Sequence, residues 1–406
     1  MDAVSDTPDT PDTPEMPESQ FVLDDKTASE PQPIYRMLRE NSPILRTDEG
    51  GTVISRHEDV EFALRHSELF SSDMDAISIG NVRPLIPLQI NPPEHVKYRR
   101  LLDPLFAPKQ VALLENDVRK LSNQLIDDFI DSGECEFNGS FAIPLPCTVF
   151  LRLLGLPLED LDLFLEFKNN IIRPPAKDQA EFERIQAETG QRIYAYFDKV
   201  LDERERQPRD DLMSGFLEAE VDGHRLTRED ILDICYLFLL AGLDTVTASV
   251  GCMVSYLASH PEQRQRLVDD PALVPGAVEE LLRWETPVPG VPRVLTDGVE
   301  LSGEELQSGE RVTVLLGSAN IDEHEFPEPD NVDFERPANR HLAFGGGVHR
   351  CLGSHLARLE LRVALETLHE RIPDYTIKRG EEPQYSMGIR AVEYLPLVFT
   401  PPARTS

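Results

Sequence analysis

The chain has 406 residues, 40% hydrophobic and 28% charged, with a formal net charge of −33, an acidic excess that repels phosphate and excludes a nucleic-acid partner. Its five cysteines (Cys135, Cys147, Cys235, Cys252 and Cys351) are odd in number and form no C-x-x-C pair, which excludes a disulfide framework or a structural zinc site and fits a reducing cytoplasm.

Residues 1–20 are acidic and proline-rich, the opposite of a basic, apolar leader, and are expected to form a disordered tail ahead of one catalytic domain over 21–406. Apolar residues at three- and four-residue steps predict helices near 34–40, 58–65, 94–106, 108–131, 159–170, 178–206, 228–259, 276–284 and 353–371. Short strand-like pieces fall early (Ile44 to Arg46, Thr52 to Ser55) and late (Val291 to Leu295, Arg311 to Leu316, Tyr394 to Phe399). An apolar, proline-bearing loop covers 71–93, and Pro174 and Pro175 mark a break at 172–177. The most apolar run, Ile234 to Leu243, is well short of the ~20 residues of a membrane span, so no membrane association is expected. These elements predict a mainly α fold with small β-sheets, without the alternation of a doubly wound sheet.

The longest helix has Thr227 before it and Asp230 three residues on, close to a capping box, and His260-Pro261 stops it. Gly242, Asp244 and Thr245 lie at its centre, where a buried helix tolerates polar groups only with partners. Alone, Thr245 reads as a hydroxyl bonded to the preceding turn.

The strongest signal is Phe344-Gly345-Gly346-Gly347-Val348-His349-Arg350-Cys351-Leu352-Gly353. Its glycines permit a tight turn that leaves peptide N–H groups free, and the cysteine stands just before a helix, where the helix dipole favours a thiolate. This segment resembles the haem-binding loop of bacterial cytochromes P-450, with Phe, Gly, Gly, His, Cys and Gly in step. The spacing of segments is similar to that of the camphor monooxygenase of the soluble bacterial class. The resemblance implies the P-450 fold, with haem b between the long central helix and the cysteine-loop helix. It makes Cys351 the iron ligand, with Phe344, Gly353 and Ala241 against the cofactor, and Asp244 and Thr245 the acid–alcohol pair that activates oxygen. Gly242 would let the helix open there. His95, Arg99, Arg293 and His349 match the cations that hold the haem propionates. Glu280 and Arg283, with Arg336, match a structural ion network.

By family position the substrate pocket takes Ile77, Ile79, Val82 and Leu85 from the 71–93 loop, Leu240, Ala241 and Val246 from the long helix, and Val288, Val291 and Ile389. That apolar inventory selects by shape and suggests a terpenoid or steroid-like molecule. Arg83 or Arg173 anchoring a fatty or aromatic acid is the alternative substrate reading. The resemblance implies insertion of one atom of O2 into a C–H bond, with electrons from a ferredoxin and its ferredoxin reductase docking near Arg100, Arg350 and Arg358. A haem-thiolate peroxygenase, which would lack the acid–alcohol pair, and a non-enzymatic haem-binding protein are the rival readings.

Overall fold

The computed structural model describes residues 27–401 apart from 48–50, 75, 77–78 and 222. The expected tail at 1–20 and the pocket position Ile77 lie outside the described residues.

The molecule is organised around the central helix Arg228–Ser259, whose 32 residues run about 48 Å at ~1.5 Å per residue. Its start is a reciprocal cap. The Asp230 N–H donates to Thr227 Oγ1 (3.1 Å) and the Thr227 N–H donates to Asp230 Oδ2 (2.9 Å). It ends at His260, where Pro261 begins the next helix, Pro261–Asp269. The central helix is long and apolar enough to cross a bilayer, yet 83% of its most apolar window is buried inside the protein, so it is a core helix.

Two apolar clusters divide it. Its N-terminal half packs against helices Pro144–Leu153, Leu161–Ile172 and Gln179–Arg206, where the rings of Phe164, Phe167 and Phe197 are fully buried. Its C-terminal half packs against Glu115–Asp127, Val274–Glu285 and the cysteine-loop helix Ser354–Arg371. Each buried large apolar side chain contributes about 1.5–3 kcal/mol, so the helix is fixed in register from both ends.

A five-stranded sheet flanks this bundle in the order Ile44–Arg46, Gly51–Ile54, Arg311–Val314, Val291–Leu295, Phe70–Ser71. Only the pairing of Gly51–Ile54 with Arg311–Val314 is parallel among these. A smaller sheet joins Tyr375–Ile377, Pro396–Phe399 and Glu134–Glu136.

The mainly α architecture with small sheets is the one expected, and differences are local. The helix expected over 94–106 is Glu94–Leu102 followed by a 3-10 turn at Asp103–Phe106, because Pro104 has no N–H to continue the ladder. The stretch 108–131 breaks into Pro108–Val111, a turn at Ala112–Leu114 and Glu115–Asp127. Where one strand is expected at Tyr394 to Phe399 there are two, Ala391–Tyr394 and Pro396–Phe399, which belong to different sheets. Helices Pro144–Leu153, Leu212–Glu218 and Pro261–Asp269 were not expected. Two of them begin with proline, which reads as a breaker but is well placed in a first turn, where the N–H has no partner anyway.

Candidate active site

The cysteine loop is shaped by its backbone. Gly345 and Gly347 adopt φ of +65° and +60°, the left-handed region that favours glycine. At Gly347 a Cβ would lie 2.0 Å from the Leu64 carbonyl oxygen, so no other residue fits. The Cys351 N–H donates to the Phe344 carbonyl (2.8 Å), closing the loop on itself. Gly353 caps the cysteine-loop helix and aims its N–H at the Cys351 sulfur. Burial pushes the Cys351 thiol up, while the Gly353 N–H and the charges of Arg99, Arg350 and Arg358 pull it down without overcoming burial. The helix end therefore assists a thiolate but does not create one unaided.

Beside this loop, four cationic or potentially cationic groups converge from three parts of the chain. His95 and Arg99 share a face of helix Glu94–Leu102, Arg293 comes from the central part of the sheet opposite Val312, and His349 comes from the loop. The His95 and His349 rings meet edge-on at 4.5 Å. Burial lowers His95 to about 4, helped by Arg99, and lowers His349 to about 3, helped by Arg293, His95 and Arg99. Arg293 is 7% exposed, has no carboxylate partner among the described residues, donates to the Pro292 carbonyl (2.7 Å), and is lowered to about 10 by burial. The buried Nε2 of His95 has no hydrogen-bond partner among the described residues. A buried guanidinium without an anion is costly, so this cluster has the chemistry of a receptor for a carboxylate-bearing ligand. Arg99 has its own partner in Asp103 (2.7 Å) and also donates to the Arg350 carbonyl (2.7 Å). His349 Nε2 meets Ser72 Oγ at 3.0 Å, which ties the 71–93 loop to the cysteine loop.

On the central helix, Asp244 is 2% exposed and accepts from Lys168 Nζ at 2.9 Å. The Arg173 guanidinium stands 3.7 Å from the other carboxylate oxygen, which has no hydrogen bond. Arg173 also pairs with Glu393 (2.7 Å) and donates to the Ile389 carbonyl (3.2 Å). Sequence reasoning missed Lys168, because a lysine on a helix 76 positions away carries no local signal. Thr245 Oγ1 donates to the Ala241 carbonyl (2.9 Å), the bond to the preceding turn that the sequence alone suggested. The helix is continuous at Gly242, so the expected opening is not seen. A Cβ there would come within 2.7 Å of the Phe150 ring, so a larger residue would force that ring to shift. Ala241 is exposed between buried Leu240 and Leu243, and Cys351 is likewise uncovered by protein atoms although deep within the fold.

Glu280, Arg283 and Arg336 come together. Glu280 and Arg283, both 0% exposed, form a two-bond pair (2.8 and 2.9 Å), and Arg336 Nε donates to both Glu280 oxygens (3.0 and 3.1 Å). The Asp333 N–H and Asn339 Nδ2 complete the carboxylate's shell at 3.0 and 2.9 Å. A second buried carboxyl went unnoticed in the sequence. Glu360, on the cysteine-loop helix, has one oxygen without a partner, and burial raises it to about 8.

The residues expected to line the pocket sit in different surroundings. Val82 is 65% exposed and points out beside helix Gln179–Arg206, because Gly80 and its neighbours lie flat against that helix. Leu85 is 0% exposed and belongs to the apolar core. Ile79 is anchored by its carbonyl, which accepts from Tyr236 OH (2.8 Å). Leu240 and Val246 are buried at 8% and 9%, and Val288, Val291 and Ile389 are half-buried. Arg83 pairs with Asp233 (2.9 Å) and covers the Tyr194 ring at 4.9 Å, so it and Arg173 are both committed to protein carboxylates. Arg358 is also engaged, in a pair with Glu279, while Arg100 and Arg350 are exposed.

The family model described as Cytochrome P450 matches residues 159–372. The steroid C26-monooxygenase of Mycolicibacterium smegmatis is 34% identical over 379 residues, covering 91% of this chain and 92% of the relative. The mycinamicin IV hydroxylase/epoxidase of Micromonospora griseorubida is 33% identical, covering 84% of this chain and 87% of that one. Among solved structures, a mutant of P-450 EryK in complex with erythromycin B superposes with a TM-score of 0.88 at 32% identity, over 95% of this chain and 100% of the other. With a loop that leaves a cysteine uncovered and a buried Arg293 that has no carboxylate partner among the described residues, this chain belongs to the cytochrome P-450 family and is a haem-binding monooxygenase.

Proposed function

We propose that the chain hydroxylates a rigid, largely hydrophobic molecule of steroid or terpenoid type, using O2 and two electrons delivered singly by a ferredoxin. Bound haem supplies the reductive activation of dioxygen at its iron. Cys351 is the iron ligand in this reading, and His95, Arg99, Arg293 and His349 hold the propionates. The propionate assignment is supported by the lack of any carboxylate on Arg293 among the described residues.

Asp244 and Thr245 manage protons. Asp244 Oδ1 is held by Lys168 and its Oδ2 lies 3.7 Å from Arg173, so the carboxylate can exchange one cation for the other and in this reading relays protons toward Thr245. The Thr245 hydroxyl releases the Ala241 carbonyl to donate toward the oxygen side. This pair favours an O2-dependent reaction over a peroxide-dependent one.

The substrate class rests on one observation above the others: Arg83 and Arg173, the two candidate anchors for an acid, are both neutralised by protein carboxylates. What remains along the proposed wall (Val246, Val288, Val291, Ile389) is apolar and β-branched, and stiff side chains of that kind select by shape. The 34% identity to a steroid C26-monooxygenase points the same way. Arg100 and Arg350 form the exposed basic part of the face for an acidic ferredoxin, and Arg358 contributes less because Glu279 neutralises it. The unpaired state of all five cysteines fits a cytoplasmic setting.

The test is a titration of the Soret band with a panel of steroids, terpenoids and long-chain fatty acids, followed by product analysis with a ferredoxin and its reductase. Saturable shifts and a hydroxylated product from a polycyclic compound are expected. Shifts with fatty acids alone overturn the substrate class.

A further inference from the structure

Adjacent carboxylates on helix Val274–Glu285 face different ways, because each residue turns ~100° about the axis. Glu280 turns inward to Arg283 and Arg336. Glu279 turns toward the cysteine loop, where no role has been assigned to it. Its two oxygens accept from Arg358 Nε and Nη2, both at 2.7 Å, and one of them also faces His341 Nε2 at 3.0 Å. The other nitrogen of His341 accepts the Ala343 N–H (3.2 Å), which orients the ring toward Glu279. Arg358 so held lies over the Phe344 ring at 4.3 Å, with the His341 ring 5.9 Å from the same phenyl. The Phe344 carbonyl is the acceptor for the Cys351 N–H.

We propose that Glu279 is a positioning residue that sets the electron affinity of the haem–thiolate centre, by fixing Arg358 over Phe344 and cancelling its charge. The inference rests on Cys351 being the iron ligand. A positive charge close to a thiolate stabilises the more electron-rich, reduced centre, and outer partners of a ligand tune the potential in this way. With Glu279 in place the pair is close to neutral. Without its charge, Arg358 acts alone.

The experiment is an equilibrium redox titration of the haem-loaded full chain, with Glu279→Gln, Arg358→Met and the double variant beside the wild type. Glutamine keeps the shape of glutamate, and methionine keeps the bulk over Phe344. The two single variants shift the midpoint in opposite directions, Glu279→Gln upward and Arg358→Met downward. The ratio of reduced to oxidised protein changes about threefold for each, or roughly 28 mV at 59 mV per tenfold for one electron. The double variant returns toward the wild type. Shifts of one sign in both singles, no shift in either, or a double variant no closer to wild type overturn the proposal. The reduced carbon monoxide spectrum is recorded throughout. Loss of the thiolate band in Glu279→Gln alone makes the residue a structural support of the loop and overturns the tuning role. Absence of that band in the wild type instead refutes Cys351 as the ligand.

Discussion

The two sides of the proposed haem site are built differently. On the cysteine side, shape comes from backbone constraints and closed ion pairs. Gly347 is pressed against Leu64, the Cys351 N–H is bound to Phe344, and the Glu280 carboxylate is surrounded by Arg283, Arg336, Asn339 and the Asp333 N–H. On the oxygen side, shape comes from side chains with alternatives: Asp244 has Lys168 at 2.9 Å and Arg173 in reserve at 3.7 Å, and Arg173 itself is shared with Glu393. A ligand that must keep one geometry is held by groups with nowhere else to go. A group that must move protons is held by partners it can exchange.

This contrast is open to direct test. Glu280→Gln leaves the buried Arg283 and the partly buried Arg336 without their shared counter-charge, and a loss of about 3–5 kcal/mol is expected in denaturant unfolding, with weaker haem retention. Asp244→Asn keeps the shape of the oxygen side but removes its ionisable group. O2-dependent turnover falls by about 10²-fold while the Soret response to substrate is unchanged. An unchanged rate would remove Asp244 from the proton route. Lys168→Met costs only about 1–3 kcal/mol, because Arg173 takes over the carboxylate. A loss as large as that of Glu280→Gln would erase the proposed difference between the two sides.

Glu360 gives a pH signature from between the two regions, since Cys147, buried in the core, lies within electrostatic reach of Glu360, Lys168 and Asp244. Burial raises its folded pKa from 4.5 to about 8, so the folded protein keeps a proton that the unfolded chain has released. Stability of the wild type relative to Glu360→Gln therefore falls as pH rises from 4.5 to about 8 and levels off above it. Parallel unfolding curves across that range would contradict the buried, neutral state.

What the sequence revealed follows from how local each signal is. The cysteine loop is a contiguous string whose glycines have one physical use, and the His95–Arg99 and Glu280–Arg283 pairs follow from helical spacing. The reciprocal cap at Thr227 is equally local. The misses at the site are tertiary. Lys168 reaches Asp244 only because two helices cross, and Gly242 is crowded because the Phe150 ring arrives from another helix. Val82 faces outward because Gly80 packs flat on Gly190. Glu279 was hidden beside Glu280, since nothing in the sequence says which way each carboxylate turns.

The most direct measurement is the carbon monoxide difference spectrum of the reduced protein, recorded with Cys351→Ala as its control. A band near ~450 nm in the wild type that is absent from the variant is the predicted result, marking thiolate ligation by that residue. A wild-type band near ~420 nm, or a ~450 nm band that survives in Cys351→Ala, would contradict it.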